Sequence, residues 1–530
     1  MRNVKRCISV LTIVAWAGML VACSGSKIEE ASAKSNVTYE IFVRSFADSN
    51  GDGIGDFNGI TAKLDYLNDG KPGGNDLGVD GIWLMPIQPS PSYHGYDVTD
   101  YEAVNPVYGT MEDFKKLTAE AHKRGIRVIM DLVINHSSSQ HPWFIDSASG
   151  KNSDKRNWYV WAEDQGRDIL GSSAAGASEA WHEENGSHYL GIFWEGMPDL
   201  NFDEPAVRQE MIRIGKFWLE QGVDGFRLDA AKHIYEDLST DKNKKTMDKS
   251  VDWWMEFRKA LEQVKPDVYL VGEVWDATAR VGPYLKALDS AFNFDLASNL
   301  IADAHSESAS NLGFTLSRVH EFYRKSSDGK FVEAPFLSNH DQTRVMTALG
   351  NNLDHAKTAA SMLLTMPGNA FVYYGEELGM NGNKPDERIR EPFPWKREPG
   401  SAGETTWEPA EYRGDGTISV EAEDGDAESL LNRYRTLISW RQQDETLRSN
   451  SIGEYAVDNK AVMAYLRSAG EKQSAVLHNL SGQPQTVTLP AVSKQLPEAF
   501  GKIAFKTDGS AKLEDGKLTL PPYTTVVLHR

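Results

Sequence analysis

Residues 111–136 read MEDFKKLTAEAHKRGIRVIMDLVINH, and this stretch changes character halfway. From Met111 to Arg124 the apolar residues recur three and four apart, the spacing of one helix face. After Gly125 the pattern switches to Arg127–Ile134, a β-branched run of strand length that closes on Asn135 and His136. A helix feeding straight into an apolar strand is half of a β–α–β unit.

The same unit recurs outward in both directions. Strand candidates are Tyr39–Phe46, Gly81–Ile87, Arg127–Ile134, Gly225–Ala230, Val268–Trp275, Ser290–Leu296, Ala334–Asp341 and Asn369–Glu377. Helical stretches such as Val207–Gln221 and Val251–Val264 lie between them. Alternation of this kind implies parallel strands with crossover helices. Eight units predict an α/β fold, a (β/α)8 TIM barrel. An open doubly wound sheet would want a Gly-rich phosphate turn after an early strand, and none is present.

Two segments break the alternation. About 90 residues separate the third and fourth strand candidates, too many for a simple loop. Residues 137–198 of that gap carry Trp143, Trp158, Trp161, Trp181 and Trp194, and read as an inserted domain. Beyond Gln442 the pattern becomes pure strand, with candidates at Ala461–Leu466, Gln473–Leu480, Gln485–Leu489 and Lys517–His529. Residues 443–530 are therefore expected to form a C-terminal antiparallel β-sandwich domain, with the barrel built from residues 37–136 and 199–442.

The N-terminus reads as an export signal. Arg2, Lys5 and Arg6 precede an apolar run from Cys7 to Ala22, the right length for a signal peptide and short for a membrane span. Leu20-Val21-Ala22-Cys23 resembles a bacterial lipobox, which implies cleavage after residue 22 and lipidation of the Cys23 thiol. Residues 1–22 are then the signal peptide and residues 23–36 a lipid-anchored tether. The expectation is an exported, cell-surface lipoprotein or extracellular protein, touching the membrane only through its anchor.

Composition narrows the function classes. The chain has 530 residues, 40% hydrophobic and 25% charged, a globular balance. Its 56 basic against 76 acidic residues give a net charge of −20, and loss of residues 1–22 makes it −23. That sign argues against a nucleic-acid partner. Cys7 and Cys23 are the only cysteines, so disulfide scaffolds and Cys-rich zinc modules are excluded.

The chemistry collects at the strand ends. The third strand candidate ends at Asn135 and His136, and the fourth runs Gly225-Phe-Arg227-Leu-Asp229-Ala-Ala-Lys232-His233. The fifth carries Glu273 before Val274 and Trp275, and the seventh ends Asn339-His340-Asp341. Acidic residues are depleted in strands, and active sites of such barrels form at the C-terminal strand ends. Four polar ends converging on one mouth exceed what solvation requires. After the first strand, Asp48-Ser-Asn50-Gly-Asp52-Gly-Ile54-Gly-Asp56 sets oxygen side chains at alternate positions, a spacing that suits a hard cation. Position twelve of that loop is Gly59, where an EF-hand places a bidentate Glu.

These segments, with Tyr93-His94-Gly95-Tyr96-Asp97, Met197-Pro-Asp199-Leu-Asn201-Phe202 and Tyr373-Tyr374-Gly375-Glu376-Glu377, resemble the α-amylase family of barrel glycoside hydrolases. The resemblance implies Asp229 as nucleophile, Glu273 as general acid and base, and Asp341 as the third carboxylate, which binds sugar hydroxyls. It implies His136 and His340 as sugar-binding histidines, Tyr96 as the aromatic platform, Arg227 as the partner of Asp229, and Lys232 and His233 on the leaving-group side. It further implies structural Ca2+ on the side chains of Asp48, Asn50, Asp52 and Asp56 and the Ile54 carbonyl. A second calcium near Asn135, Asp199 and His233 is less favoured, because Asn201 stands where such amylases often have Asp.

The function that follows is retaining endo-hydrolysis of α-1,4-glucosidic bonds in starch and maltooligosaccharides by a monomer. A neopullulanase, an oligo-1,6-glucosidase or a transglycosylase on the same scaffold is the alternative. A non-catalytic surface glucan-binding lipoprotein is disfavoured, since both Asp229 and Glu273 are present.

Overall fold

The computed structural model describes residues 36–71, 73–176, 179–236, 244–491 and 499–530. The signal segment, most of the tether and Cys23 lie outside the described residues.

The stretch that opened the sequence reading folds as its pattern requires. Helix α1 spans Met111–Lys123. The Thr110 side chain accepts from the Asp113 N–H, and the Asp113 carboxylate accepts from the Thr110 N–H, a reciprocal cap contributing about 1 kcal/mol. Phe114, Leu117 and Ala121 form its buried face. Gly125, at φ +76°, turns the chain into the next strand.

Seven parallel strands make the central sheet: β1 (Val37–Ile41), β2 (Gly81–Leu84), β3 (Arg127–Leu132), β4 (Gly225–Leu228), β5 (Tyr269–Gly272), β6 (Ser290–Ala291) and β7 (Ala370–Tyr373). Their order is β6-β5-β4-β3-β2-β1-β7. The seventh strand candidate, Ala334–Asp341, forms no strand. Only Ala334 bridges, to Phe292. Pro335 has no N–H to donate and cannot sit within a ladder. The segment nevertheless closes the ring. The Asn369 and Phe371 N–H groups donate to the Glu333 and Pro335 carbonyls, each at 2.8 Å, and the Asn293 N–H donates to Ala334 at 3.3 Å. The barrel is thus seven strands and one irregular stave.

Other strand candidates are longer than the strands. Tyr39–Phe46 shortens to β1 and continues as a helical turn, Val43–Phe46. Ser290–Leu296 shortens to the two residues of β6, then enters helix α2 (Phe294–Ser306). Apolar periodicity alone does not separate a buried strand end from a buried helix start.

The barrel interior is filled by Trp83, Ile129, Tyr269, Val271, Phe292, Phe336 and Phe371. Register places Glu40 beside Trp83, and Asp131 beside Arg227 beside Val271. In-register residues of parallel strands share a face, so the Asp131–Arg227 layer stands above the aromatic plug.

Within the long insertion, Trp181–Glu184 and Ser187–Leu190 form a two-stranded hairpin. The C-terminal region forms two antiparallel sheets. The larger runs Gly453–Glu454, Val462–Ala469, Lys472–Asn479, Thr525–His529, Lys502–Lys506 in spatial order, and the smaller Gln485–Thr488, Lys517–Leu520, Lys512–Glu514. The single strand expected over Lys517–His529 is two, split at Pro521 and Pro522. Leu477, Val487, Leu518, Leu520, Val526 and Leu528 pack into one core between the sheets. Among the described residues no helix is long and apolar enough to cross a membrane.

Candidate active site

A cavity of about 370 Å³ opens at the C-terminal mouth of the barrel. Asp229, Glu273 and Asp341 line it, with His94, Tyr96, His136, Trp194 and Arg390. A larger cavity of about 720 Å³ lies over the hairpin of the insertion and touches none of the three carboxylates. The smaller one holds the chemistry.

Arg227 organises this site. Its side chain is 1% exposed. Nη1 donates to Asp131 Oδ1 at 2.8 Å and to Asp229 Oδ1 at 2.6 Å, and Nη2 donates to Glu273 Oε2 at 2.5 Å. The sequence explains the geometry. Arg227 and Asp229 are two apart, so their side chains leave the same face of the strand and its extension. The Glu273 N–H donates to the Leu228 carbonyl at 3.0 Å, which sets Glu273 level with Asp229. The chain then turns through Ala230, a non-glycine residue at φ +47°. Such conformations cost about 1–3 kcal/mol and persist where surroundings enforce them. Here the turn lets the Ala230 N–H donate to Glu273 Oε2 at 3.2 Å.

Burial pushes the Asp229 and Glu273 carboxyls above their ordinary values, while Arg227 pulls both down. Burial raises Asp131 to about 7, again against Arg227. One guanidinium thus faces three buried carboxyls, each of which burial favours in its neutral form and Arg227 favours in its charged form. The Asp131 side chain is fully buried, whereas Glu273 is 24% exposed to the cleft. Glu273 is therefore, of the two, the carboxyl that reaches the cleft.

The opposite wall is built on His340. Its Nδ1 meets Glu40 Oε1 at 2.5 Å, and its Nε2 lies 2.6 Å from the Tyr96 hydroxyl and 3.1 Å from Asp341 Oδ2. Burial opposes charge on the ring, yet Asp341 and Glu40 hold its pKa up at about 9. Burial likewise opposes ionisation of Asp341, but His340 and Arg390 hold that carboxyl well below the usual range. Arg390 donates to Asp341 Oδ1 at 2.9 Å. The Tyr96 ring stacks on His340, 14° from parallel, and its hydroxyl donates to Asp131 Oδ2 at 3.0 Å.

His136 is a different case. Burial lowers its pKa to about 4, so the ring is neutral. Nδ1 accepts from Asn135 at 3.4 Å, and Nε2–H donates to the Tyr96 carbonyl at 3.2 Å. Its edge lines the cavity.

Lys232 and His233 stand apart. Lys232 Nζ donates to the Trp275 carbonyl at 2.7 Å, and His233 Nδ1 bonds Glu236. Both line a separate cavity of about 130 Å³.

In the loop after β1, the acidic oxygens turn to the loop's own amides. Asp48 accepts from the Asn50, Gly51 and Gly53 N–H groups, Asn50 from Asp52, and Asp52 from Ile54. Asp56 accepts from the Ser49 and Gly59 N–H groups and caps the helix Phe57–Leu67. The donors are hard oxygens, the chemistry calcium takes. Among the described residues, however, no three His, Cys, Asp or Glu side chains gather as a metal cluster.

Glu40, Asp131 and Arg390 contact the site residues, and sequence reasoning did not select them. Glu40 and Asp131 carry a signal, an acid buried within a strand. Arg390 follows a four-residue helix, Asp386–Ile389, and nothing local marks it.

A family profile described as "Alpha amylase, catalytic domain" matches residues 40–450, and one described as "Alpha-amylase SusG C-terminal domain" matches residues 462–527. Alpha-amylase 3 of Dictyoglomus thermophilum is 42% identical over 496 residues, covering 93% of each chain. An oligo-1,6-glucosidase of Parageobacillus thermoglucosidasius is 32% identical, covering 86% of this chain and 92% of its own. The crystal structure of an α-amylase from H. orenii superposes with a TM-score of 0.84 at 46% identity, over 94% of this chain and 99% of the other.

Proposed function

The chain belongs to the α-amylase family and hydrolyses α-1,4 glucan bonds, and on that premise we propose that it cuts internal bonds of starch with retention at Asp229 and Glu273. The observation that carries this is the single guanidinium shared by the two carboxylates. Retaining glycosidases hold their carboxyl pair about 5–5.5 Å apart, and inverting ones leave room for a water between them. Two carboxylates bridged by one Arg side chain favour the close arrangement.

Arg227 keeps Asp229 available as an anion, and Asp229 attacks the anomeric carbon. Glu273 protonates the departing oxygen, then takes the proton of the incoming water. Asp341, held ionised by His340 and Arg390, accepts from sugar hydroxyls, and Tyr96 offers its ring to the sugar face. His136 adds a polar edge. Lys232 and His233 act further along, on the leaving-group side. Transfer to a second sugar, or α-1,6 cleavage, is the alternative on this scaffold, the latter supported by the relative named an oligo-1,6-glucosidase.

The test is Asp229→Asn assayed on soluble starch, pullulan and isomaltose. Scattered maltooligosaccharides from starch with the native enzyme, and a loss of at least about 10³-fold in the variant, are expected. Native-rate turnover by the variant would refute the mechanism.

We propose, too, that the Asp48–Asp56 loop takes a structural calcium ion, supported by its alternating oxygens. Chelation should then lower the melting temperature more than the initial rate in the cold. An unchanged melting temperature would refute it. The lipobox-like run supports an exported protein anchored through Cys23. Cys23→Ala should shift the protein from the membrane to the soluble fraction, and an unchanged distribution would count against the anchor.

A further inference from the structure

The cavity over the hairpin is the larger of the two, and the chemistry described above does not use it. It shares one lining residue with the catalytic cleft, Trp194. That indole is 41% exposed, unusual for the largest apolar side chain. A Cβ on Gly196 would come within 2.2 Å of the Trp194 ring, so the indole lies directly against the Gly196 backbone. The chain that follows the indole is held by hydrogen bonds. The Met197 N–H donates to the Trp194 carbonyl at 3.0 Å, the Ser139 N–H to Gly196 at 2.9 Å, and the Tyr189 hydroxyl to Glu195 at 2.7 Å.

Beyond Trp194 the cavity wall carries Glu179, Glu183, Glu184 and Glu195, and the described residues that line it include no Lys or Arg. A wall of this sign repels an anionic polymer. An exposed indole beside carboxylate acceptors instead suits a neutral polyhydroxylated ligand. The C–H face of a sugar ring packs on the indole, and its hydroxyls donate to the carboxylates. The volume of about 720 Å³ falls within the range of ordinary ligand sites and accommodates more than one sugar ring.

We propose that this cavity is a distal binding site for the same α-glucan chain that is cut in the barrel, with Trp194 as the platform where the chain passes from one to the other. The inference rests on the α-glucan reading above and adds a determinant of chain length. A short saccharide fills the cleft alone, whereas a long one also reaches the hairpin.

The test measures binding of maltotriose and maltoheptaose by titration calorimetry in the Asp229→Asn protein, which keeps the ligands intact. Trp194→Ala should lower the maltoheptaose-to-maltotriose affinity ratio about 10-fold, the effect of losing one aromatic stacking contact. Trp194→Phe should restore most of it. The double variant Glu183→Ala, Glu184→Ala, on the exposed hairpin, should lower the ratio about 3-fold without touching the indole. An unchanged ratio in both Trp194→Ala and the double variant overturns the distal site while leaving the amylase reading intact. Failure of the parent Asp229→Asn protein to bind either saccharide overturns both.

Discussion

Glu40 shows how far the site reaches below its reacting groups. It lies in β1, 1% exposed, and lines neither the catalytic cleft nor the cavity over the hairpin, yet its carboxylate fixes the Nδ1 side of His340. With Asp341 it keeps the ring protonated to about pH 9, against burial. An unfolded histidine titrates near about 6.5. The pair therefore contributes stability fully present below about pH 6.5, which is lost as pH rises through about 9. Glu40→Gln should flatten the fall of melting temperature between those limits. It should also move the alkaline limb of kcat/KM downward, with about 10-fold more activity lost at pH 8 than at pH 6. A pH profile superimposable on that of the native enzyme would contradict this role. Asp229, Glu273 and Asp341 were legible in the sequence because each stands at or near the C-terminal end of a strand candidate, where acids are otherwise scarce. Glu40 and Asp131 were legible only as oddities within strands. Arg390 was not legible at all, because it meets Asp341 across 49 residues of chain and no local pattern encodes that contact.

Among the elements, the closure of the barrel is tightly constrained by backbone packing. The irregular stave at Glu333–Pro335 is held by the backbone leading into β7. Gly368, at φ +83°, is where that backbone comes closest, and a Cβ there would sit 2.0 Å from the Glu333 carbonyl oxygen. Gly368→Ala meets both the strain of the left-handed region and a backbone clash that no side-chain rotation relieves. The expected destabilisation is about 3 kcal/mol or more, read as a lower denaturation midpoint with an unchanged slope. A midpoint equal to the native value would show that the stave moves freely. The strand pattern located seven of the eight staves and mistook the eighth, because Pro335 removes the ladder donor while leaving the apolar run intact. The ends of β1 and β6 were misjudged for a related reason. A buried helical turn and a buried strand end present the same run of apolar residues, and only tertiary packing separates them.

At the scale of the whole molecule, the C-terminal sheets are structural partners of the barrel and not a detachable appendage. Met463, Tyr465, Val476, Leu480 and Val527 belong to the same continuous hydrophobic cluster as the barrel helices. The Tyr465 hydroxyl lies 2.7 Å from Thr365 Oγ1 at the end of the helix Leu353–Thr365. The buried Arg467 guanidinium donates to the Thr365 carbonyl at the end of the same helix. At about 1.5–3 kcal/mol for each buried apolar side chain, exposing five of them forfeits on the order of 10 kcal/mol. Natural domains are stable by only about 5–15 kcal/mol in total, so this loss is comparable to the whole margin. The sequence placed the β-region correctly in class, but alternation along its strands does not say what the second face of a sheet covers. Here one face closes the sandwich through Leu477 and Val526, and the other, through Val476 and Val527, lies against the barrel. A chain ending at residue 450, the limit of the matched catalytic region, should therefore accumulate in the insoluble fraction or melt far below the full-length protein. Recovery of a soluble, fully active barrel with an unchanged melting temperature would show that the shared cluster contributes little, and that the two regions are joined only in sequence.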